Sequence, residues 1–240
     1  MQTVILAGGL GTRLMPLTKD RPKALVEVAG RPFADRQLAL LKAMGASRIV
    51  YSVSHFADQL RVHVGDGSRF GLHVDYVEDG ERPLGTGGAI RSALDADLLE
   101  ERFLVTYGDS FLPVPLAPAM ASLERSGLEA CMSVFKNDGR WDSSNVALKD
   151  GRIRLYDKQG RHKEILLDHI DYGLLAFNRG FIEREIAAGQ VVDLADPLYR
   201  ASRAGKLAAH IVTTRFWEMG SHEGLAELEA AIESGAVVSP

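Results

Sequence analysis

The sequence predicts an α/β chain built on a mixed, mostly parallel sheet flanked by helices. Three observations carry that prediction. Short apolar runs alternate with segments of helical periodicity through the first half, the pattern of parallel βαβ units. The second half has closer-spaced strand signals and a hairpin signal, which add antiparallel pairing. A glycine-rich turn follows the first strand directly, at the strand end where open α/β sheets hold ligands.

The elements follow in order. Val4–Ala7 is the first strand. Ala34–Met44 places Leu38, Leu41 and Met44 at helical spacing and ends at Gly45, a residue suited to the position after a helix. Ile49–Val53 is a strand, Gln59–Val64 a short helix, and Leu72, Val74 and Tyr76 alternate as a third strand would. A helix begins at Gly87 and runs to Leu94, and Phe103–Tyr107 is a fourth, apolar strand. Leu128–Phe135 then reads as a strand. Asn145–Leu148 and Ile153–Tyr156 flank Lys149-Asp150-Gly151 as a hairpin. Tyr172–Phe177 and His210–Thr213 are strands, Asp196–Ala204 is a helix closed by Gly205, and Leu225–Ile232 is a final amphipathic helix. Without repeats, low-complexity segments or a linker, residues 1–240 read as one domain. Its Rossmann-like first half ends near residue 115, where Pro113, Pro115 and Pro118 cluster.

Composition narrows the function classes. Hydrophobic residues make up 46% and charged residues 25% of the chain, as in an ordinary soluble protein. A net charge of −4 supplies no basic field for nucleic acid or an anionic membrane. No apolar run approaches the roughly 18 residues of a membrane span. The N-terminus enters a strand directly, without a secretory leader, so a cytoplasmic setting is expected. Cys131 is the only cysteine and sits in a strand, as a buried small hydrophobe would. The 7 histidines lack H-E-x-x-H spacing and no G-x-S-x-G elbow is present, which removes zinc-protease and serine-hydrolase chemistry.

The chemistry concentrates in Leu6-Ala-Gly-Gly-Leu-Gly-Thr-Arg-Leu14, followed by Pro22-Lys23-Ala-Leu. Gly8, Gly9 and Gly11 let the main chain approach a ligand, and successive amides in such a turn form a nest for anions. Arg13 adds a fixed cation suited to a polyphosphate. The Walker pattern is absent, and Leu14 stands where a dinucleotide loop would have its third glycine. Asp109 follows the fourth strand, where a carboxylate can bind Mg²⁺ together with substrate phosphates or simply cap a turn. Pro83-Leu-Gly-Thr-Gly-Gly-Ala89 is a second glycine loop opening a helix.

Taken together, the first loop with its Pro-Lys resembles the signature of the sugar-1-phosphate nucleotidyltransferases. The resemblance covers most of the chain and implies their nucleotide-diphospho-sugar transferase fold. It implies a nucleotide-binding half over about 1–115 and a sugar-phosphate-binding half over about 116–240. It places the nucleotide on Leu6, Ala7, Gly8, Gly9, Gly11, Thr12 and Arg13, with Gly85, Thr86 and Gly87 against the base and ribose. It makes Arg13, Lys23 and Asp109 the catalytic set and Mg²⁺ the cofactor, held by Asp109 and by Glu218 of Phe216-Trp-Glu-Met-Gly-Ser221. The family pattern has Asp and Thr where this chain has Glu218 and Ser221. On the sugar side, Asp157-Lys158 stands at the family's Glu-Lys and Asp171-Tyr-Gly173 at its Asn-x-Gly. These residues are therefore expected to hold the sugar phosphate and its hydroxyls, with Lys158 as a point charge.

Within the family, Gly30-Arg-Pro-Phe33, Gly65-Asp-Gly-Ser-Arg-Phe-Gly71 and the second glycine loop are most similar to guanylyltransferases acting on D-glycero-α-D-manno-heptose 1-phosphate. GTP and that sugar phosphate are the expected substrates, in capsule or surface-polysaccharide synthesis. Uridylyl-, cytidylyl- and mannose-type guanylyltransferases share much of these stretches. A regulatory subunit that only binds a nucleotide sugar, or an enzyme for a non-sugar phosphate, stays open on Glu218, Asp157 and Asp171. A homo-oligomer is compatible with the sequence, and no acyltransferase domain of hexapeptide repeats is expected.

Overall fold

The structure is a computed structural model and describes residues 1–78, 80 and 82–240. The chain opens with β1 (Gln2–Leu6), the hairpin β2 (Glu27–Val28) and β3 (Arg31–Pro32), α1 (Phe33–Ala43) and β4 (Arg48–Val53). It continues through α2 (Ala57–Val64), β5 (His73–Glu78), α3 (Gly85–Asp95), β6 (Arg102–Tyr107) and β7 (Ser110–Phe111). Then come α4 (Ala117–Ser126), β8 (Ala130–Lys136), β9 (Val146–Lys149), β10 (Arg152–Tyr156) and β11 (His169–Asn178). The last elements are α5 (Arg179–Glu185), α6 (Ala195–Arg203), β12 (Ala208–Val212), β13 (Trp217–Glu218) and α7 (His222–Glu233).

One nine-stranded sheet runs in the order β5-β4-β1-β6-β11-β8-β12-β10-β9. The first four strands are parallel, with β1 between β4 and β6. The direction switches where β11 joins β6 antiparallel, Leu174 opposite Thr106. Both halves of the chain therefore share one sheet. Strand residues alternate between its faces. Val4, Phe103, Val105, Met132 and Leu175 pack against α3, α5 and α6. Ile5, Leu104, Cys131, Leu174 and Ala176 pack against α1, α2 and α4. With both faces covered, the central strands are mostly apolar on both sides, which is why they read as near-continuous runs.

A third cluster lies beneath the site end of the sheet. Leu14, Phe33, Phe111, Trp217, Met219 and Leu228 bind the first loop, the β7–β13 pair and α7 into one core. Buried Arg36 of α1 donates to the Val28 and Ala29 carbonyls at 2.6 and 2.7 Å, clamping the β2–β3 hairpin beside that core.

Every helix and strand expected from the pattern is present, with ends shifted by a few residues. Four features were not expected. The proline cluster near residue 115 does not interrupt structure: Pro118 sits in the first turn of α4, where its missing amide costs no hydrogen bond. Helix α5 has only 7 residues, too few to show a period. The hairpin strands β2 and β3 and the pair β7 and β13 are two residues each. Among the described residues, no helix is long and apolar enough to cross a membrane.

Cys131 is buried on β8, and burial pushes its thiol pKa up to about 12. An unfolded thiol titrates near 8.5, so the native protein holds it protonated at pH 8. The native chain is expected not to react with a disulfide reagent at pH 8 and to release one equivalent of thiol when urea unfolds it; a rapid native reaction would contradict this packing.

Candidate active site

Three strand ends build the floor of the site. The Ala7 amide donates to the Ser52 carbonyl at 2.8 Å, and the Gly108 amide donates to the Leu6 carbonyl at 2.9 Å. The first loop thus starts from a fixed point between β4 and β6. The Ser54 hydroxyl donates to the Gly8 carbonyl at 2.7 Å and fixes the next residue. Gly11 has φ 64°, in the left-handed region, and its carbonyl accepts from the Thr18 hydroxyl at 2.9 Å. The chain then makes a single 3₁₀ turn over Thr12–Leu14. Leu14 is buried, whereas Thr12 and Arg13 are exposed at the rim.

Above this floor lies a cavity of about 300 Å³. Leu6, Ala7, Gly8 and Gly9 form one wall, and Pro83, Gly85, Thr86 and Ala89 the facing one. Ser52, Tyr107, Lys23 and Asp109 complete it. The two glycine loops read from the sequence therefore face each other across one space.

At the mouth of the cavity, Lys23 Nζ donates to Asp109 Oδ2 in a short ion pair, with both side chains mostly buried. Asp109 rides on the turn between β6 and β7. Gln37 of α1 holds that turn, its Nε2 donating at 2.9 Å to both the Tyr107 and the Ser110 carbonyls. The antiparallel pairing of β13 with β7 sets Glu218 opposite Ser110, and the Met219 amide donates to the Asp109 carbonyl at 2.9 Å. Two carboxylates from distant parts of the chain so meet at one edge. Glu218 opens onto the cleft but is walled by protein on its other sides. Burial, with Asp109 next, pushes its carboxyl pKa up to about 7. Arg13 approaches from the loop: a Cβ added at Gly220 would lie 3.1 Å from Arg13 Nη2 and 3.5 Å from Asp109 Oδ2. Ser221 caps α7, its hydroxyl accepting from the Gly224 amide at 3.1 Å. His222 hydrogen-bonds the Met15 carbonyl at 2.9 Å and so ties α7 to the first loop.

The pair fits a hard divalent cation. Two adjacent carboxylates supply oxygen ligands, and their mutual repulsion falls when a cation lies between them. No group of three or more His, Cys, Asp or Glu that could hold a metal occurs among the described residues. A cation here would therefore complete its shell with substrate phosphates and water.

The second glycine loop has an origin that the sequence did not show. Residues 190–193 cross directly over it. The Val192 amide donates to the Leu84 carbonyl at 2.8 Å, and the Gly87 amide donates back to the Val192 carbonyl at 2.9 Å. A Cβ at Gly85, which has φ 75°, would sit 2.6 Å from the Val192 carbonyl oxygen. One at Gly88 would sit 2.5 Å from the Gln190 carbonyl oxygen. The glycines make room for this crossing strand of backbone.

The sugar-side residues divide. Asp171 and Gly173 sit on the β11 bulge, with Gly173 beside Tyr107 and Ser110. Asp171 Oδ1 accepts from the Gly173 amide at 2.9 Å, and burial raises its carboxyl pKa. Lys158 reaches the same region and lies 3.6 Å from Asp193. Asp157, by contrast, does not stand in the cleft. Its carboxylate is fully enclosed in its own loop, accepting from the His162 amide at 2.8 Å and pairing with Arg161 at 3.3 Å. Burial alone would favour its neutral form, but the His162 amide and Arg161 together hold the pKa low. Asp157 shapes the turn that carries Lys158.

The sequence reading missed Ser52, Gln37 and Asp193. Ser52 and Gln37 look like ordinary members of an apolar strand and a helix. Asp193 left a faint signal, an Asp just before a helical run, and its Oδ1 does accept from the Ala195 amide at 2.9 Å.

A family model described as "Nucleotidyl transferase" matches residues 2–142. The chain belongs to the nucleotidyl transferase family. The mannose-1-phosphate guanylyltransferase of Mycobacterium tuberculosis is 28% identical over all of this nucleotidyltransferase chain and 67% of its own length. The D-glycero-alpha-D-manno-heptose 1-phosphate guanylyltransferase of Campylobacter jejuni is 30% identical, over 67% of this chain and 72% of its own. Two further relatives are longer, and the chain spans 54% and 31% of their lengths. The crystal structure of HddC from Yersinia pseudotuberculosis complexed with GMP-PN superposes with a TM-score of 0.74 at 26% identity, covering 95% of this chain and 98% of that one. The matched residues 2–142 contain both glycine loops, Lys23 and Asp109, while Glu218 lies beyond them.

Replacing Gly85 by Ala should force the 190–193 crossing away. A strained left-handed residue and an overpacked contact together cost about 2–4 kcal/mol. A urea titration of Gly85→Ala should show that loss, accompanied by weaker nucleotide binding; an unchanged midpoint would mean that the crossing gives way without strain.

Proposed function

We propose that this nucleotidyltransferase transfers the guanylyl group of GTP to D-glycero-α-D-manno-heptose 1-phosphate and releases pyrophosphate. The observation that carries the reaction type is the Asp109–Lys23 pair beside Glu218 at the mouth of a cavity faced by two glycine loops. The choice of GTP and heptose is supported by the Campylobacter relative and by the GMP-PN complex of HddC. The surface-polysaccharide role and a cytoplasmic setting go with that choice.

In this reading the nucleoside occupies the cavity, with its base and ribose against Leu6–Gly8 and Gly85–Gly87. The first loop and Arg13 hold the β- and γ-phosphates. One oxygen of the sugar phosphate attacks the α-phosphorus in line. As that bond forms, the bond to the bridging oxygen breaks and its electron pair leaves with pyrophosphate. No general base is needed, because a phosphate monoester is already anionic near neutral pH, its second pKa being about 6. Phosphoryl transfer of this kind is mainly positioning and charge neutralisation. Lys23 supplies a cation at the α-phosphate. Mg²⁺, held by Asp109 and Glu218, would neutralise the charge shared by the two substrates. Lys158 would anchor the sugar phosphate, and Asp171 with Gly173 would line the sugar's path.

Pyrophosphate release measured with Mg²⁺ should peak for GTP with the heptose phosphate in a panel crossing GTP, CTP, UTP, ATP and dTTP against heptose, mannose, glucose and N-acetylglucosamine 1-phosphates. Asp109→Ala and Lys23→Met should each lower the rate by about 10²–10³-fold, the size of a lost preorganised electrostatic contact. A different preferred pair would discard the substrates and keep the mechanism. A fully active Asp109→Ala chain would discard the mechanism.

A further inference from the structure

Asp193 stands where the two halves of the site meet. Its Oδ1 is fixed twice, accepting from the Ala195 amide at 2.9 Å and from the Thr86 hydroxyl at 3.1 Å. Thr86 is itself held, its oxygen accepting from the Leu194 amide at 2.8 Å. Beneath them, the Val192–Leu84 and Gly87–Val192 backbone bonds fasten the whole segment to the nucleotide loop. Among the described residues, the other oxygen, Oδ2, is approached by Lys158 Nζ alone, at 3.6 Å and beyond hydrogen-bond distance, and the side chain is 49% exposed.

Asp193 borders the cavity through Thr86, its hydrogen-bond partner, which lines the wall. Burial raises the pKa of the Tyr107 phenol, and Asp171, Asp193, Asp109 and Glu218 all add to the effect. These four carboxylates are near enough to that phenol for their charges to act on it. Two of them flank the metal position, and Asp171 lies on the β11 bulge. Asp193 differs from these in being rigid on one oxygen and available on the other. Such a group is preorganised to accept a hydrogen bond, because no side-chain freedom is lost when the bond forms. Lys158, the cation nearest its Oδ2 among the described residues, is the one that the proposed reaction draws onto the sugar phosphate.

We infer that Asp193 is a substrate-binding residue whose Oδ2 accepts a hydrogen bond from a hydroxyl of the sugar 1-phosphate, fixing the sugar while Lys158 holds its phosphate. This rests on the reading of the acceptor as a sugar 1-phosphate, but not on which sugar it is. The ribose of the nucleotide carries the same chemistry, and its hydroxyls lie on the Thr86 side. Kinetics in each substrate separately distinguish the two sources.

The test is Asp193→Asn, which keeps an acceptor for Ala195 and Thr86 while replacing Oδ2 by a donor. With the best substrate pair from the panel, KM for the sugar 1-phosphate should rise about 10–100-fold, the worth of a hydrogen bond to a charged group. KM for the nucleotide should stay within about twofold, and the melting temperature should not change. One monodeoxy sugar 1-phosphate should cost the wild-type chain a similar factor, and Asp193→Asn should no longer distinguish it from the parent sugar. Asp193→Ala, which also strips the start of α6, serves as the structural control and should lower the melting temperature. An active wild type with an unchanged sugar KM in Asp193→Asn, or with the loss confined to the nucleotide KM, overturns the assignment. A wild type silent with every sugar 1-phosphate overturns the acceptor reading and this inference with it.

Discussion

The site depends on a ladder of two residue pairs. Trp217 lies opposite Phe111 and Glu218 opposite Ser110, and with the Met219 amide on the Asp109 carbonyl this pairing brings the end of the chain to Asp109. Like charges placed together are unfavourable, so the pairing needs an anchor. The anchor is apolar: Phe111, Trp217 and Met219 are buried together with Leu14 and Leu228. Alternation along β13 turns Trp217 inward to that core and Glu218 outward to the cleft. Lys23 offsets part of the remaining charge through its ion pair with Asp109. Hydrophobic packing thus holds in place a charge arrangement that electrostatics alone would separate.

A second constraint ties the halves on the opposite side of the cavity. The 190–193 backbone lies across residues 84–88 and shares hydrogen bonds with it in both directions. A shift of the nucleotide loop therefore moves Asp193, and with it the group nearest Lys158. The second glycine loop and the Asp193 segment are linked by main-chain contact, which is stiffer than a chain of side chains. On the Asp109 side, Gln37 performs a similar service by clasping both carbonyls of the turn.

How much of this could be read from the sequence follows from how far each interaction reaches. Period and punctuation are local, so the parallel strands, the Lys149–Gly151 hairpin and the two glycine loops were legible. The proline cluster carries less information, because proline is tolerated at a helix start as readily as between elements, and only the surroundings of Pro118 place it in the first turn of α4. The pair β7 and β13 is too short to carry a period, so Glu218 could be placed only through the family resemblance. The second glycine loop was legible as a turn opening a helix, but the contact of its glycines with residues 190–193 joins segments too far apart in the chain for a local pattern to show. For Asp157 and Lys158, the match to the family's Glu-Lys does not say which of the two faces the cleft, because that depends on the loop that follows. The His162 amide and Arg161 turn Asp157 inward.

The Lys23–Asp109 pair also bears on how the charges are arranged during transfer. A single ammonium cannot neutralise Asp109 and a nucleotide phosphate at full strength together, because its three donors and its one charge are shared between them. Asp109 and Glu218 would hold a divalent cation, whose charge would meet the first demand, and Lys23 would then be free for the second. In the proposed reaction, then, Asp109 and Glu218 would pair with the cation and Lys23 with a nucleotide phosphate, in place of the mostly buried Lys23–Asp109 pair. Each charge keeps a partner throughout, which avoids exposing a bare charge in a partly buried site. The same logic explains why Asp109 and Lys23 sit on separate rigid supports, the β6–β7 turn and the Lys23–Leu25 turn. Only the side-chain ends need to move, so the exchange leaves the cavity walls and the glycine loops where the sheet has fixed them.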